Sequence, residues 1–185
     1  MNDEIFDTLP VIVTDRLVLR DVQRGDVTQF FKIRSDAQVM KYMDRPLFQS
    51  LDEAEKLVDS SIEGNTKKHS VNWVITEKGR DILIGYVAFW RWVKEHFRAE
   101  IGFALFPGYW GKGFMSEALE AAIGFGFGKM GLHSIEANVN PGNEASIKLL
   151  EKLGFEKEAY FRENMFFNGK FVDSVIYSLL ERDRK

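Results

Sequence analysis

The 185-residue chain contains no cysteine, which removes disulfide cross-links, thiolate-bound zinc and a cysteine nucleophile together. Histidine is scarce: His69, His96 and His133 lie far apart and match no metal-ligand spacing, so no metal is expected. No apolar run approaches the ~20 residues that span a membrane. Net charge is small as well, a formal −3 with a pI near 5.7. That balance argues against a chain whose main task is holding nucleic acid, because displacing counterions requires a basic face. The lead Met1-Asn2-Asp3-Glu4 is acidic and lacks the basic region of a secretory signal. These absences together predict a cytoplasmic protein with neither nucleic acid nor membrane as a direct partner.

What remains is the composition of a globular protein, 45% hydrophobic and 29% charged, with sixteen phenylalanines to fill a core or groove. The length suits one domain over residues 1–185. No repeat, linker or low-complexity stretch interrupts it. Thr14 to Arg20 alternates apolar and charged residues as a half-buried strand does. Val27, Phe30, Phe31 and Ile33 form the stripe of a helix that ends near Ser35 or continues to Met43, with Asp26 as its N-cap. Ser50-Leu51-Asp52-Glu53 is a capping-box signature for a second helix reaching about Ile62.

The period then changes. Val71 to Thr76 alternates, a charged turn at Glu77 to Asp81 follows, and Ile82 to about Val93 is apolar on both faces, which places that strand centrally in a sheet. With Arg98 to Phe106 these strands form an antiparallel meander. A helical stripe from Phe114 to Met130 carries Gly124, Gly126 and Gly128, read as close packing or fraying rather than as a dinucleotide fingerprint, since they lie late in a helix. His133 to Val139 is another strand, Ala145 to Leu153 a short helix, and two final strands flank Asn168-Gly169, a two-residue hairpin turn.

The chemistry centres on Pro107 to Ser116. Gly111 and Gly113 flank Lys112 just before a helix, so the backbone can approach a ligand closely and the helix offers free N–H groups and its positive dipole end. That is a phosphate or pyrophosphate site. A nucleotide-hydrolysing phosphate loop is excluded, because Lys112 is followed by Gly113 rather than Ser or Thr and Phe106 stands where that motif has glycine.

Four stretches in order, Thr14 to Arg20, Ala99 to Phe103, Trp110 to Ala118 and Asn143 to Phe155, give the chain its resemblance to the GNAT superfamily of acyl-CoA-dependent N-acetyltransferases. Within it the chain is similar to the ribosomal-protein N-terminal acetyltransferase branch. The resemblance implies an α+β (mixed α/β) fold: a mostly antiparallel twisted sheet of about seven strands, a parallel pair splayed at the cofactor site, and about four flanking helices. It implies acetyl-CoA as cosubstrate and an amine-bearing acceptor, either a protein N-terminus or a small molecule, with a homodimer open. The family's loop motif falls on Gly108 to Gly113 and departs from it at Gly108, where Gln or Arg is usual.

Carried over by position, the cofactor residues are Trp110, Gly111, Lys112, Gly113, Phe114 and Met115 at the pyrophosphate, Leu105 and Phe106 as backbone partners of pantetheine, and Asn143 with Asn138 at its amides. An Asx turn and a helix cap are the competing roles of the asparagines. Transfer requires a neutral amine, so a base is expected, and Glu100 occupies the family's position for one. The competing role is a cross-strand partner for a Lys or Arg. The tyrosine with which many relatives protonate the departing thiolate is replaced by Leu150, which leaves the Ser146 hydroxyl as the candidate acid or a small residue that admits the cofactor. The missing tyrosine also keeps open a non-catalytic acyl-CoA-binding module.

Overall fold

A computed structural model describes residues 8–184; the acidic lead Met1 to Glu4 lies outside them. One sheet runs in the order β1-β2-β3-β4-β5-β6-β8-β7. Its strands are β1 (Ile12–Val13), β2 (Leu17–Asp21), β3 (Val71–Glu77), β4 (Arg80–Val93), β5 (Arg98–Leu105), β6 (Ser134–Val139), β7 (Glu156–Phe167) and β8 (Lys170–Leu180). Neighbours are antiparallel except β5 and β6. Among the described residues five α-helices accompany the sheet: α1 (Val27–Ser35), α2 (Ala37–Met40), α3 (Leu51–Thr66), α4 (Phe114–Gly128) and α5 (Glu144–Lys152).

The mixed α/β architecture is the one the sequence implied, with eight strands and five helices against about seven and about four. Two local causes explain the difference. The strand β1 is two residues long, too short for any period to register. The stretch 27–43 is broken at Asp36, whose ψ of 115° leaves the helical region while its carboxylate accepts from the N–H groups of Gln38 (2.8 Å) and Val39 (3.3 Å). That cap starts α2 afresh.

The alternation of β3 and β4 divides the core into two layers. Val71, Trp73, Ile75, Val87 and Phe89 pack against α4, whereas Val74 and Leu83 pack against Phe30, Ile33, Ala54 and Val58 of α1 and α3. Close packing accounts for one of the three late glycines of α4. A Cβ on Gly126 would come within 3.0 Å of Phe89 and 3.2 Å of Ile135, one on Gly124 would meet only the Arg184 guanidinium, and Gly128 faces open space.

The central discontinuity lies between β5 and β6. They pair only from Arg98↔Ser134 to Glu100↔Glu136, after which β6 stays with β8 while Ile101 to Leu105 has no partner on that side. The opening lies where β5 runs into the glycine loop and β6 into the turn before α5. No helix of the described residues is long and apolar enough to cross a membrane.

Candidate active site

The glycine loop is shaped by two left-handed residues, Gly111 (φ 71°) and Gly113 (φ 78°), of which Gly113 caps α4. In the resulting cradle the N–H groups of residues 111–115, gathered at the start of α4, make no hydrogen bond to a protein acceptor among the described residues. This suits the pyrophosphate-binding role expected of Gly111, Lys112, Gly113, Phe114 and Met115. The loop is pinned on both flanks. Tyr109 donates its hydroxyl to Glu77 (3.2 Å) and packs edge-on against Phe114 (5.7 Å). Lys112 folds its ammonium back to the Gly108 carbonyl at 2.6 Å.

Arg16 supplies the second flank. Its Nε meets Glu117 at 2.6 Å, its Nη1 donates to the Lys112 carbonyl at 2.9 Å, and its guanidinium lies 4.4 Å over the Phe114 ring. Thr14 Oγ1 donates to the same carboxylate at 2.6 Å. Burial works against ionisation of Glu117, but the Thr14 hydroxyl and the Arg16 N–H and guanidinium outweigh it and hold the carboxyl below the usual carboxylate range. The sequence placed Thr14 and Arg16 on a strand. That strand begins only at Leu17, and the two residues instead fasten the loop, a role invisible in sequence because Glu117 is about a hundred residues away.

From the loop a cleft of about 1110 Å³ passes between the splayed strands to the α1–α3 side of the sheet. At the end of β5, Leu105 and the following Phe106 differ in what they offer it. The Phe106 N–H donates to the Ile84 carbonyl (2.9 Å) on the β4 side, and the Leu105 carbonyl accepts from the Trp110 indole (2.7 Å). Strand alternation therefore turns Leu105 and Phe103, rather than Phe106, toward the opening.

Glu100 lines the cleft and is 12% exposed, with Arg91 Nη1 at 2.8 Å from its carboxylate. The cross-strand partner weighed against a base is thus present. Arg91 reaches Glu100 because it has a φ of 46° within an irregularity of β4 between Trp90 and Val93. Beside this pair Trp90 lies flat over Gly102, where a Cβ would fall inside the indole. Glycine at 102 is therefore required by the aromatic wall.

Asn143 caps α5 by accepting from the Ser146 N–H (3.2 Å), which leaves its amide NH₂ for other use; Asn138 is exposed on β6, and both line the cleft with Ser146. Leu150 is fully buried in the core, so its position offers the cleft nothing in place of a hydroxyl. Two further features had no sequence signal. Asn140 donates to Asp44 (3.0 Å), tying the segment after α2 to the turn before α5 across the cleft, and Arg34 at the end of α1 lines the same space. Among the described residues no three His, Asp or Glu side chains gather as a metal site would require.

Comparison with known proteins agrees with this geometry. Residues 16–156 match the family model for the acetyltransferase (GNAT) domain. The chain is 37% identical to N-acetyltransferase p20 of Bacillus licheniformis over 95% of its own length and 98% of that protein's. It is 37% identical to the ribosomal protein uS5-alanine N-acetyltransferase of Escherichia coli, over 55% of this chain and 53% of that one. A GNAT acetyltransferase crystal structure from Bacillus anthracis superposes with a TM-score of 0.83 at 30% identity, covering 94% of this chain and 99% of that one. Spermidine N-acetyltransferase of Vibrio cholerae, solved with CoA and spermine, superposes at 0.81 and 27% identity, covering 92% and 98%.

Proposed function

The chain belongs to the acetyltransferase (GNAT) family and is an acetyl-CoA-dependent N-acetyltransferase; we propose that it is one domain over residues 1–185 that acetylates the α-amino group of a peptide or protein N-terminus. The observation that carries this reading is the cleft through the sheet, with the free N–H groups of 111–115 at one end and Glu100 at the other. The loop N–H groups hold the pyrophosphate, the backbone of Phe103 and Leu105 orients pantetheine, and the Asn143 NH₂ is placed for one of its amides. The acceptor amine enters from the α1–α3 side, its nitrogen forms a bond to the thioester carbonyl carbon, and the carbon–sulfur bond breaks. Glu100 takes the amine proton and returns it to solvent, while the Ser146 hydroxyl gives its proton to the departing sulfur and regains one from solvent, so that CoA leaves as the thiol. Positioning of the two substrates supplies much of the rate, with no covalent enzyme intermediate.

Relatives named above include acetyltransferases of a ribosomal-protein alanine and of spermidine. Charge favours the first for this chain. Among the described residues that line the cleft, the cations Arg34, Lys41, Arg45, Arg91 and Lys152 outnumber the carboxylates Asp44 and Glu100, a poor setting for a polycation. A panel of peptides, amino acids and polyamines, scored by mass, tests the reading. Acetylated peptide N-termini are expected, and acetylation of polyamines alone would overturn it. In the same assay Glu100→Gln should lower turnover about tenfold or more, chiefly below the amine pKa near ~8, while acetyl-CoA affinity is kept. An unchanged pH–rate profile would remove Glu100 from the mechanism.

A further inference from the structure

Arg34 is a cleft charge for which the fold supplies no counterpart. Its guanidinium lies 5.0 Å over the Phe48 ring, and Nη1 is 3.8 Å from the Met43 sulfur. Its Nε is buried without a hydrogen-bond partner, and among the described residues Arg34 pairs with no carboxylate. Arg20 shows the contrast, being an arginine of low exposure that closes on both Asp26 and Asp81. A guanidinium whose Nε is buried without an acceptor, and which an aromatic face holds at the wall of a cleft with no carboxylate to meet it, is set for an anion from outside.

The cleft's own acids do not meet Arg34. Arg91 holds one oxygen of Glu100 and leaves the other for the amine, and Asp44 accepts from Asn140. The Phe48 N–H donates to the Arg34 carbonyl at 3.1 Å, so the ring that holds the guanidinium is tied to the same helix end. The site is therefore built before any ligand arrives, which limits the ordering cost of binding.

We propose that Arg34 binds a carboxylate carried by the acceptor, so that this enzyme selects amines bearing an anionic group near the reacting nitrogen. The proposal rests on the acetyl-transfer reading above for its acceptor path. The carboxylate has two sources, an acidic side chain close to a peptide's N-terminus or the α-carboxylate of a free amino acid, and both enter the test. With saturating acetyl-CoA, kcat/KM is measured for peptides carrying Asp, Asn or Lys at their second position, and for free amino acids against their amides. The measurement is repeated on Arg34→Met and Arg34→Lys.

About tenfold or greater preference for Asp over Asn is expected. It should vanish in Arg34→Met and persist in part in Arg34→Lys, with acetyl-CoA affinity reporting that both variants are folded. Preference confined to free amino acids over their amides assigns the second source. Equal rates for Asp and Asn peptides together with equal rates for acids and amides overturn the proposal, as does a preference that survives in Arg34→Met. Calorimetry of the acceptors against CoA-saturated protein separates the two readings. Arg34-dependent binding without transfer keeps this proposal and sinks peptide acetylation, whereas transfer without any anion preference does the reverse.

Discussion

At the residue scale, one backbone angle governs the donor end of the site. Gly113 has a φ of 78°, which a β-branched residue adopts only at a cost on the order of 1–2 kcal/mol, and a Cβ there would lie 3.4 Å from Arg16 Nη2. Gly113→Val should therefore reduce acetyl-CoA affinity about tenfold or more by turning the N–H cradle out of register. Calorimetry on the folded variant checks this, and unchanged affinity would remove the loop from pyrophosphate binding. Glu100 carries a subtler lesson. Its position on the strand was readable, but its partner was not, because Arg91 reaches it only through a left-handed residue at a strand irregularity that no alternation pattern encodes.

At the element scale, the first turn of α4 is fastened to the start of β2 through one carboxylate. Glu117 accepts from Thr14 Oγ1, the Arg16 N–H and the Arg16 guanidinium. Because its folded-state pKa is lowered, the stabilisation is present above the unfolded value of about 4.3 and is lost as pH falls through the folded value. Glu117→Gln should cost about 1–2 kcal/mol at pH 7, where Arg16 is solvent-screened at 46% exposure but the Thr14 contact is sheltered. Urea unfolding at pH 7 and at about pH 3 tests the sign: the gap between wild type and variant should shrink at the lower pH. A gap that stays constant would mean that the carboxylate's charge plays no part in the docking.

At the scale of the whole molecule, the sheet consists of two blocks, β1–β5 and β6–β8, joined by three register pairs and parted beyond Glu100. In the binding mode proposed above, a cosubstrate lying in the gap would supply hydrogen bonds that the parted strands lack. Saturating CoA should accordingly slow amide exchange most at Ile101, Phe103, Leu105 and residues 111–115, above the general slowing of about 2.7 kcal/mol that any ligand at a hundredfold excess over Kd produces. Exchange followed by mass spectrometry reads this directly. Uniform protection across β3 and β5 alike would place the cosubstrate elsewhere.

The sequence by itself determined what depends on local periodicity and short-range chemistry. The central position of β4, the Asn168-Gly169 hairpin turn and the glycine-flanked start of α4 all follow from residues within a few positions of one another. It also fixed the family, since motif order along the chain survives without coordinates. Only the tertiary structure decided which charges meet. Arg16 joined to Glu117 and Asn140 joined to Asp44 are products of packing between segments far apart in the chain, Arg91 turned onto Glu100 follows from an irregularity in the strand beside it, and Arg34 is left without an acid by all that packs around it. The physical reason is that a hydrogen bond or ion pair depends on position in space to a fraction of an ångström, whereas spacing along a chain constrains position only within a single helix or strand.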